Sequence, residues 1–197
     1  MDDIVKQAMA KWPNVPNCYG WLALDARGHW RLRDQRTQDL DLPGDRLAHA
    51  ALIAFINRNY ARDERGCWFF QNGPQRVYVN LETAPYISTV AGDGVLTLHT
   101  GAPLERIDEA LMTRDGALIL VRDDVAAQLD DRDLAQVLGR LRLDDAEMND
   151  EALLGWLESD TPRGTLTLLD GDRAVPVMRI ATADVAAHCR FVRRPAP

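Results

Sequence analysis

The stretch from Cys67 to Glu82 restricts the fold more than any other. Cys67-Trp68-Phe69-Phe70-Gln71 is strand-like in content. Asn72-Gly73 then marks a short hairpin, because both residues tolerate positive φ; Pro74 complicates the tightest turn and allows a longer loop. From Arg76 to Glu82 the side chains alternate. Val77, Val79 and Leu81 take one face, and Arg76, Tyr78, Asn80 and Glu82 the other. Such a segment needs an antiparallel neighbour and something apolar to cover its valine face.

Similar hairpin patterns recur along the chain. Trp21 to Leu24 and His29 to Leu32 flank Asp25-Ala26-Arg27-Gly28, with His29, Arg31 and Arg33 sharing a face. Tyr86 to Val90 and Val95 to His99 flank Ala91-Gly92-Asp93-Gly94. Leu111 to Thr113 and Ala117 to Val121 flank Arg114-Asp115-Gly116, and Thr165 to Leu169 and Ala174 to Ile180 flank Asp170-Gly171. Between hairpins the period changes to that of a helix. The spacing predicts helices over 2–12, from a cap at Asp45 to about Ala61, and from a cap at Asp130 or Asp131 through Leu141. A shorter helix is expected after a cap near Asn149. The tail from Arg193 is expected to fray.

Two stretches line up within the chain. Arg65-Gly66, Asn72-Gly73, Val77 and Val79 match Arg163-Gly164, Asp170-Gly171, Val175 and Val177 at a constant offset of 98. Thr83-Ala84 matches Thr182-Ala183 after a slip of one residue. Gly28 with Trp30 and Leu32 parallels Gly116 with Leu118 and Leu120. Asx-Gly turns and alternating valines are common to hairpins generally, so coincidence is the competing explanation. The expected fold class is α+β, with two similar halves of mostly antiparallel hairpins and helices packed on the sheet. The expected organisation is an N-terminal helix and linker over 1–17, a first repeat over 18–102 and a second over 103–197.

Composition narrows the function classes. The 197 residues carry 23 basic against 30 acidic side chains, a net charge of -7, which disfavours nonspecific binding to nucleic acid. The acidic start lacks the apolar core of a signal peptide, and the longest apolar run, Ala50 to Ile56, is too short to span a bilayer. A cytoplasmic protein without membrane contact is expected. Cys18, Cys67 and Cys189 are widely spaced and form no Cys-x-x-Cys pair, so reduced thiols are expected rather than a disulfide framework or zinc site.

Standard catalytic motifs are missing. There is no phosphate loop, nucleophile elbow, His-Glu-x-x-His or dinucleotide fingerprint. Cys67, or Cys189 beside His188, is a candidate nucleophile on chemical grounds, although neighbours on a strand point to opposite faces. His29, His49, His99 and His188 are scattered, and Asp123-Asp124 with Asp130-Asp131 and Asp133 lacks calcium-loop spacing, so no metal site and no cofactor are expected. The candidate binding face is Arg76, Tyr78, Asn80 and Glu82, which joins charge, amide and aromatic groups on one side of a strand. An ordinary solvated sheet face is the competing reading.

The order of motifs in the first half carries a resemblance. Ala26-Arg27-Gly28-His29-Trp30 precedes the helix containing Leu52 to Phe55. Gly66, Trp68 to Phe70, the Pro74 turn and Glu82-Thr83-Ala84-Pro85-Tyr86 follow. This arrangement resembles the bacterial family of domain of unknown function 1285, over roughly residues 18 to 90. The chain departs from that pattern at Arg27, where Asp is usual, and around Pro74-Gln75-Arg76, where an acidic-basic pair is usual. A related, separate family of uncharacterised proteobacterial proteins is therefore expected for the whole chain. The resemblance implies a repeated α+β fold and a role in signalling, and brings no catalytic residues. The functional expectation is a non-enzymatic module binding a small molecule or protein, with a homodimer among the options. The alternative is a hydrolase or transferase with a non-standard site.

Overall fold

A computed structural model describes residues 1–161 and 163–197. Among the described residues it has six α-helices and fifteen strands, in a mixed α/β arrangement with one six-stranded and one nine-stranded sheet. The chain forms two compact units, Met1–Pro85 with Arg190–Pro197, and Tyr86–Cys189.

In the first unit, α1 (Asp3–Lys11) buries only Val5 and leaves Ile4 71% exposed. The hairpin read at Asp25–Gly28 joins β1 (Cys18–Leu24) to β2 (Trp30–Leu32). Next come α2 (Gln35–Asp39), β3 (Asp45–Arg46), α3 (Ala50–Arg58) and β4 (Tyr60–Arg62). The diagnostic hairpin forms β5 (Trp68–Asn72) and β6 (Gln75–Leu81) around Gly73, whose φ is 57°. The strand order is β3-β2-β1-β6-β5-β4, antiparallel except where β1 runs parallel to β6. One face is covered by α3, through Ile56, a Phe55–Phe70 edge contact, and Asn57, which accepts the Trp30 indole N–H at 2.7 Å. Each such buried apolar side chain contributes about 1.5–3 kcal/mol.

The helix expected to start at Asp45 starts later. Asp45 and Arg46 pair instead with Leu32 and Arg31, and His49 caps α3 by accepting the Leu52 N–H. The helix stops at Arg58, and Tyr60 lies on β4. A cap-like residue preceded the apolar stripe, but sheet pairing took it first.

The second unit begins with the hairpin of β7 (Tyr86–Val90) and β8 (Leu96–Leu98). β9 (Glu109–Thr113), β10 (Leu118–Arg122) and β11 (Val125–Leu129) follow. A 3₁₀ turn at Asp131–Asp133 leads to α4 (Leu134–Leu138), then β12 (Leu141–Leu143), β13 (Ala146–Glu147) and α5 (Asp150–Glu158). The last elements are β14 (Leu166–Asp170), β15 (Arg173–Ile180) and α6 (Val185–His188). Asn149 caps α5 as expected, accepting the Ala152 N–H at 2.8 Å, whereas Asp130 caps only the 3₁₀ turn through the Arg132 N–H and α4 follows Asp133 without a side-chain cap. Leu141, read as the end of a helical stripe, opens β12 opposite Leu168. The sheet order is β13-β12-β14-β15-β9-β10-β11-β7-β8, with β9–β15 and β7–β11 parallel. Its core packs Met112, Leu118, Leu120 and Leu166 with Leu153, Trp156 and Leu157 of α5.

The units divide at Pro85/Tyr86, whereas the sequence placed residues 86–98 in its first half. The pairing of β7 with β11 draws them into the second unit. The division also separates charge. The first unit holds 14 basic and 10 acidic residues, net +4, and the second 9 basic and 20 acidic, net -11.

Candidate functional site

The parallel pairing of β1 with β6 builds the candidate site. It sets Asn80 opposite Ala23 and Leu81 opposite Leu24. Glu82, just beyond β6, donates its backbone N–H to the Leu24 carbonyl and accepts the Ala26 N–H on Oε2 at 3.0 Å. Arg31 lies beside this row on β2, and Arg33 follows it. The result is a cleft of about 200 Å³, lined by Asp25, Arg31, Arg33, Asp41, Asn80, Glu82 and Arg194 with apolar neighbours such as Leu42 and Pro43.

The charged groups are held in place. Asp25 sits in the β1–β2 turn, where its Oδ1 accepts the Arg27 and His29 N–H groups at 3.0 and 2.8 Å. Arg31 donates from Nε to Asp25 Oδ2 at 2.8 Å and from Nη1 to the Gly44 carbonyl at 3.1 Å. Burial works against ionisation of Asp25, but the His29 amide, the Arg31 guanidinium and the Arg27 amide outweigh it, holding the carboxyl below its ordinary value. Arg33 donates to the Leu42 carbonyl and to Asp41 Oδ1, while Arg194 takes Asp41 Oδ2 at 3.0 Å. Those two guanidinium groups, Arg194 foremost, hold Asp41 below its usual range. Arg31, Arg33 and Arg194 each keep N–H donors beyond these bonds. The Asn80 amide has no hydrogen-bond partner among the described residues.

Arg194 comes from the tail that was expected to fray. The Arg193 carbonyl accepts the Leu81 N–H at 2.8 Å, and its side chain donates to the Glu82 carbonyl. The tail is thus a strap along β6, and it delivers Arg194 to the cleft.

The four residues proposed from alternation do not share one site. Asn80 and Glu82 line the cleft. Tyr78 is 2% exposed; its ring stacks on Tyr19 at 4.7 Å, and its hydroxyl donates to Asp63 Oδ2 at 3.0 Å. Arg76 lies over the Phe69 ring, 4.6 Å from its centroid. The face read as open to a ligand or to solvent is covered where Tyr19 and Val192 pack against Cys67, Phe69 and Tyr78. The sequence had placed Arg31 and Arg33 on one face but missed their meeting with Asn80, Asp41 and Arg194. The alternating arginines of β2 were the available signal; their partners come from distant segments.

The three cysteines, including the candidate nucleophiles Cys67 and Cys189, are muted. Burial raises the Cys18 and Cys67 thiols. Burial, with Glu109 nearby, pushes the Cys189 thiol up to about 11. His188 Nε2 is held 2.8 Å from Glu109 Oε1. Among the described residues no group of three or more His, Cys, Asp or Glu is placed to hold a metal ion, and no helix is long and apolar enough to cross a membrane.

Comparison with known proteins gives a family and a fold. A family model labelled DUF2944 and described as "Protein of unknown function (DUF2946)" matches residues 1–196. The crystal structure of a DUF1285 family protein from Silicibacter pomeroyi DSS-3 is similar at 17% identity, covering 84% of each chain with a TM-score of 0.52. This extends to most of the chain the likeness to family 1285 read from the first half. No curated protein matches.

Proposed function

The chain belongs to the DUF2944 family, and from that premise we propose that it is a non-enzymatic, cytoplasmic binding module whose first unit takes a small carboxylate- or phosphate-bearing molecule, with a role in signalling. The observation that carries this reading is the convergence of the Arg31, Arg33 and Arg194 guanidiniums with the unengaged Asn80 amide on one small cleft. Guanidinium forks match planar oxyanions, and an amide supplies a second, directional contact. The lining contains no hydroxyl, thiol, imidazole or amine, and its three carboxylates are engaged, Asp25 by Arg31, Asp41 by Arg33 and Arg194, and Glu82 by the Ala26 N–H, which favours binding over covalent or acid-base turnover. The signalling role rests on the resemblance to family 1285 alone.

A thermal-shift series with succinate, citrate, inorganic phosphate and nucleotides tests this reading. A ligand at about 100 times its Kd adds about 2.7 kcal/mol and raises the melting temperature by several degrees. The rise is expected for the native protein and not for Asn80→Leu. If no anion raises the native melting temperature, or if Asn80→Leu responds equally, the cleft is not the site.

We also infer that the α+β fold is a tandem repeat, its copies falling within 18–102 and 103–197 and formed by β1–β6 and by β9–β12 with β14 and β15. Two observations support it. The order β3-β2-β1-β6-β5-β4 has the same run of parallel and antiparallel pairings as β11-β10-β9-β15-β14-β12. The registers also agree: Leu22 faces Leu32 and Val79, as Ala110 faces Leu120 and Val177, and Asn72 faces Gln75 as Asp170 faces Arg173. On this plan Asp25, Arg31, Asn80 and Glu82 correspond to Thr113, Ile119, Met178 and Ile180, so only one copy carries the polar cleft. An experimental structure in which these strands fail to superpose would overturn the repeat.

A further inference from the structure

The second unit carries an apolar groove of about 520 Å³ that the cleft-binding reading does not use. One wall is a stripe along α5, Asp150, Leu153, Leu154 and Leu157, at spacings of three and four; Leu134 of α4 also lines the groove, as does the β9–β10 turn from Asp115 to Leu118. Leu154 is 56% exposed on this stripe, a large apolar side chain left in water. Every charged side chain in the lining is a carboxylate: Asp115, Asp131 and Asp150. The unit around it has a net charge of -11.

We propose that this groove docks a basic amphipathic helix of a partner protein. The apolar floor would take leucine-like anchors at i, i+3, i+4 and i+7, and the three carboxylates would face Lys or Arg on the helix flanks. The charge of the unit selects against an acidic partner and speeds encounter with a basic one.

Fluorescence anisotropy on the full chain tests the proposal. The probe is a synthetic helical peptide with Leu at i, i+3, i+4 and i+7 and Lys elsewhere. It is expected to bind, more weakly as salt rises. Leu154→Glu, at an exposed position that leaves the fold intact by circular dichroism, is expected to weaken binding at least about tenfold. That substitution adds negative charge, so attraction by charge alone would strengthen instead. Asp150→Asn is expected to weaken binding a few-fold and flatten the salt dependence. The peptide with Glu in place of Lys is expected not to bind. The proposal is overturned if Leu154→Glu binds as well as the native chain, or if a scrambled peptide of the same composition binds equally. It is also overturned if sedimentation shows a dimer of the free protein that Leu154→Glu dissociates, because a second copy would then fill the groove.

Discussion

Arg31 Nε donates to Asp25 Oδ2 at 2.8 Å, across the turn that opens the first unit's cleft. Asp25 is buried, so losing Arg31 leaves its carboxylate with two backbone donors and the His29 ring, whose Nδ1 lies 3.3 Å from Oδ2. Arg31→Met is therefore expected to destabilise the protein by about 1–3 kcal/mol at pH 7, measured by urea unfolding. The pH dependence has a definite sign. A carboxyl whose pKa is lowered by folding adds stability above its unfolded value, and that stability is lost as pH falls through the folded value. The native protein is thus expected to lose stability as pH drops below the ordinary value of 3.8. Asp25→Asn should show a shallower loss over the same range. An unchanged slope would mean that Asp25 does not gain its charge stabilisation on folding.

Tyr78 and Arg76 are separated by the same logic of burial. Tyr78→Phe removes the bond to Asp63 and keeps the ring on Tyr19, and is expected to cost about 1 kcal/mol. Tyr78→Ala empties an aromatic volume between Tyr19 and Phe69 and is expected to cost about 3–5 kcal/mol. Arg76→Ala loses one cation–π contact and is expected to cost under about 1 kcal/mol. A melting series of the three variants reads the order directly; equal values for Tyr78→Ala and Arg76→Ala would show that Tyr78 is exposed in solution.

What the sequence revealed follows from which interactions are local. The β5–β6 hairpin was legible because Asn72-Gly73 and the alternation from Arg76 sit within one short segment. The caps at Asp130 and Asn149 were legible for the same reason. Alternation separates two faces of a strand but does not say which is covered. Tyr78 was read as open to a ligand or to solvent because its cover comes from Tyr19 and Val192, far away in sequence. Asp45 has the chemistry of a cap and became a strand residue because Leu32 was available to pair. The cleft needed two facts with no local trace: the parallel register of β1 on β6, and the return of the tail that brings Arg194 to Asp41. Aligned motifs pointed to two similar halves, but they carried no sign that the acidic residues concentrate in residues 86–189.

Gly66 holds that returning tail. Its φ is 81°, its carbonyl accepts the Val192 N–H at 3.0 Å, and a Cβ there would lie 2.5 Å from the Arg190 carbonyl oxygen. Gly171 has a φ of 59° with open space around it. Gly171→Ala should therefore cost only the left-handed backbone penalty, about 1–2 kcal/mol. Gly66→Ala adds a clash with fixed backbone and is expected to cost about 3 kcal/mol or more. It should also raise hydrogen exchange at Val192 and Leu81, whose N–H groups anchor the tail. Equal costs at the two glycines would show that the tail is not packed against Gly66.

Cys189 offers a test of chemistry rather than stability. Its thiol, ordinarily near 9.0, is pushed up to about 11 by burial and by Glu109. The thiolate, which is the reactive form, is then about a hundredfold scarcer at pH 8 than for an ordinary cysteine. His188 does not offset this, because its Nε2 is engaged by Glu109. Iodoacetamide at pH 8, with the modified sites mapped by mass spectrometry, should label Cys189 about a hundredfold more slowly than free cysteine, and Glu109→Gln should speed the reaction modestly. Rapid labelling of Cys189 in the native protein, abolished by His188→Ala, would instead reveal an activated thiol and restore the enzymatic alternative.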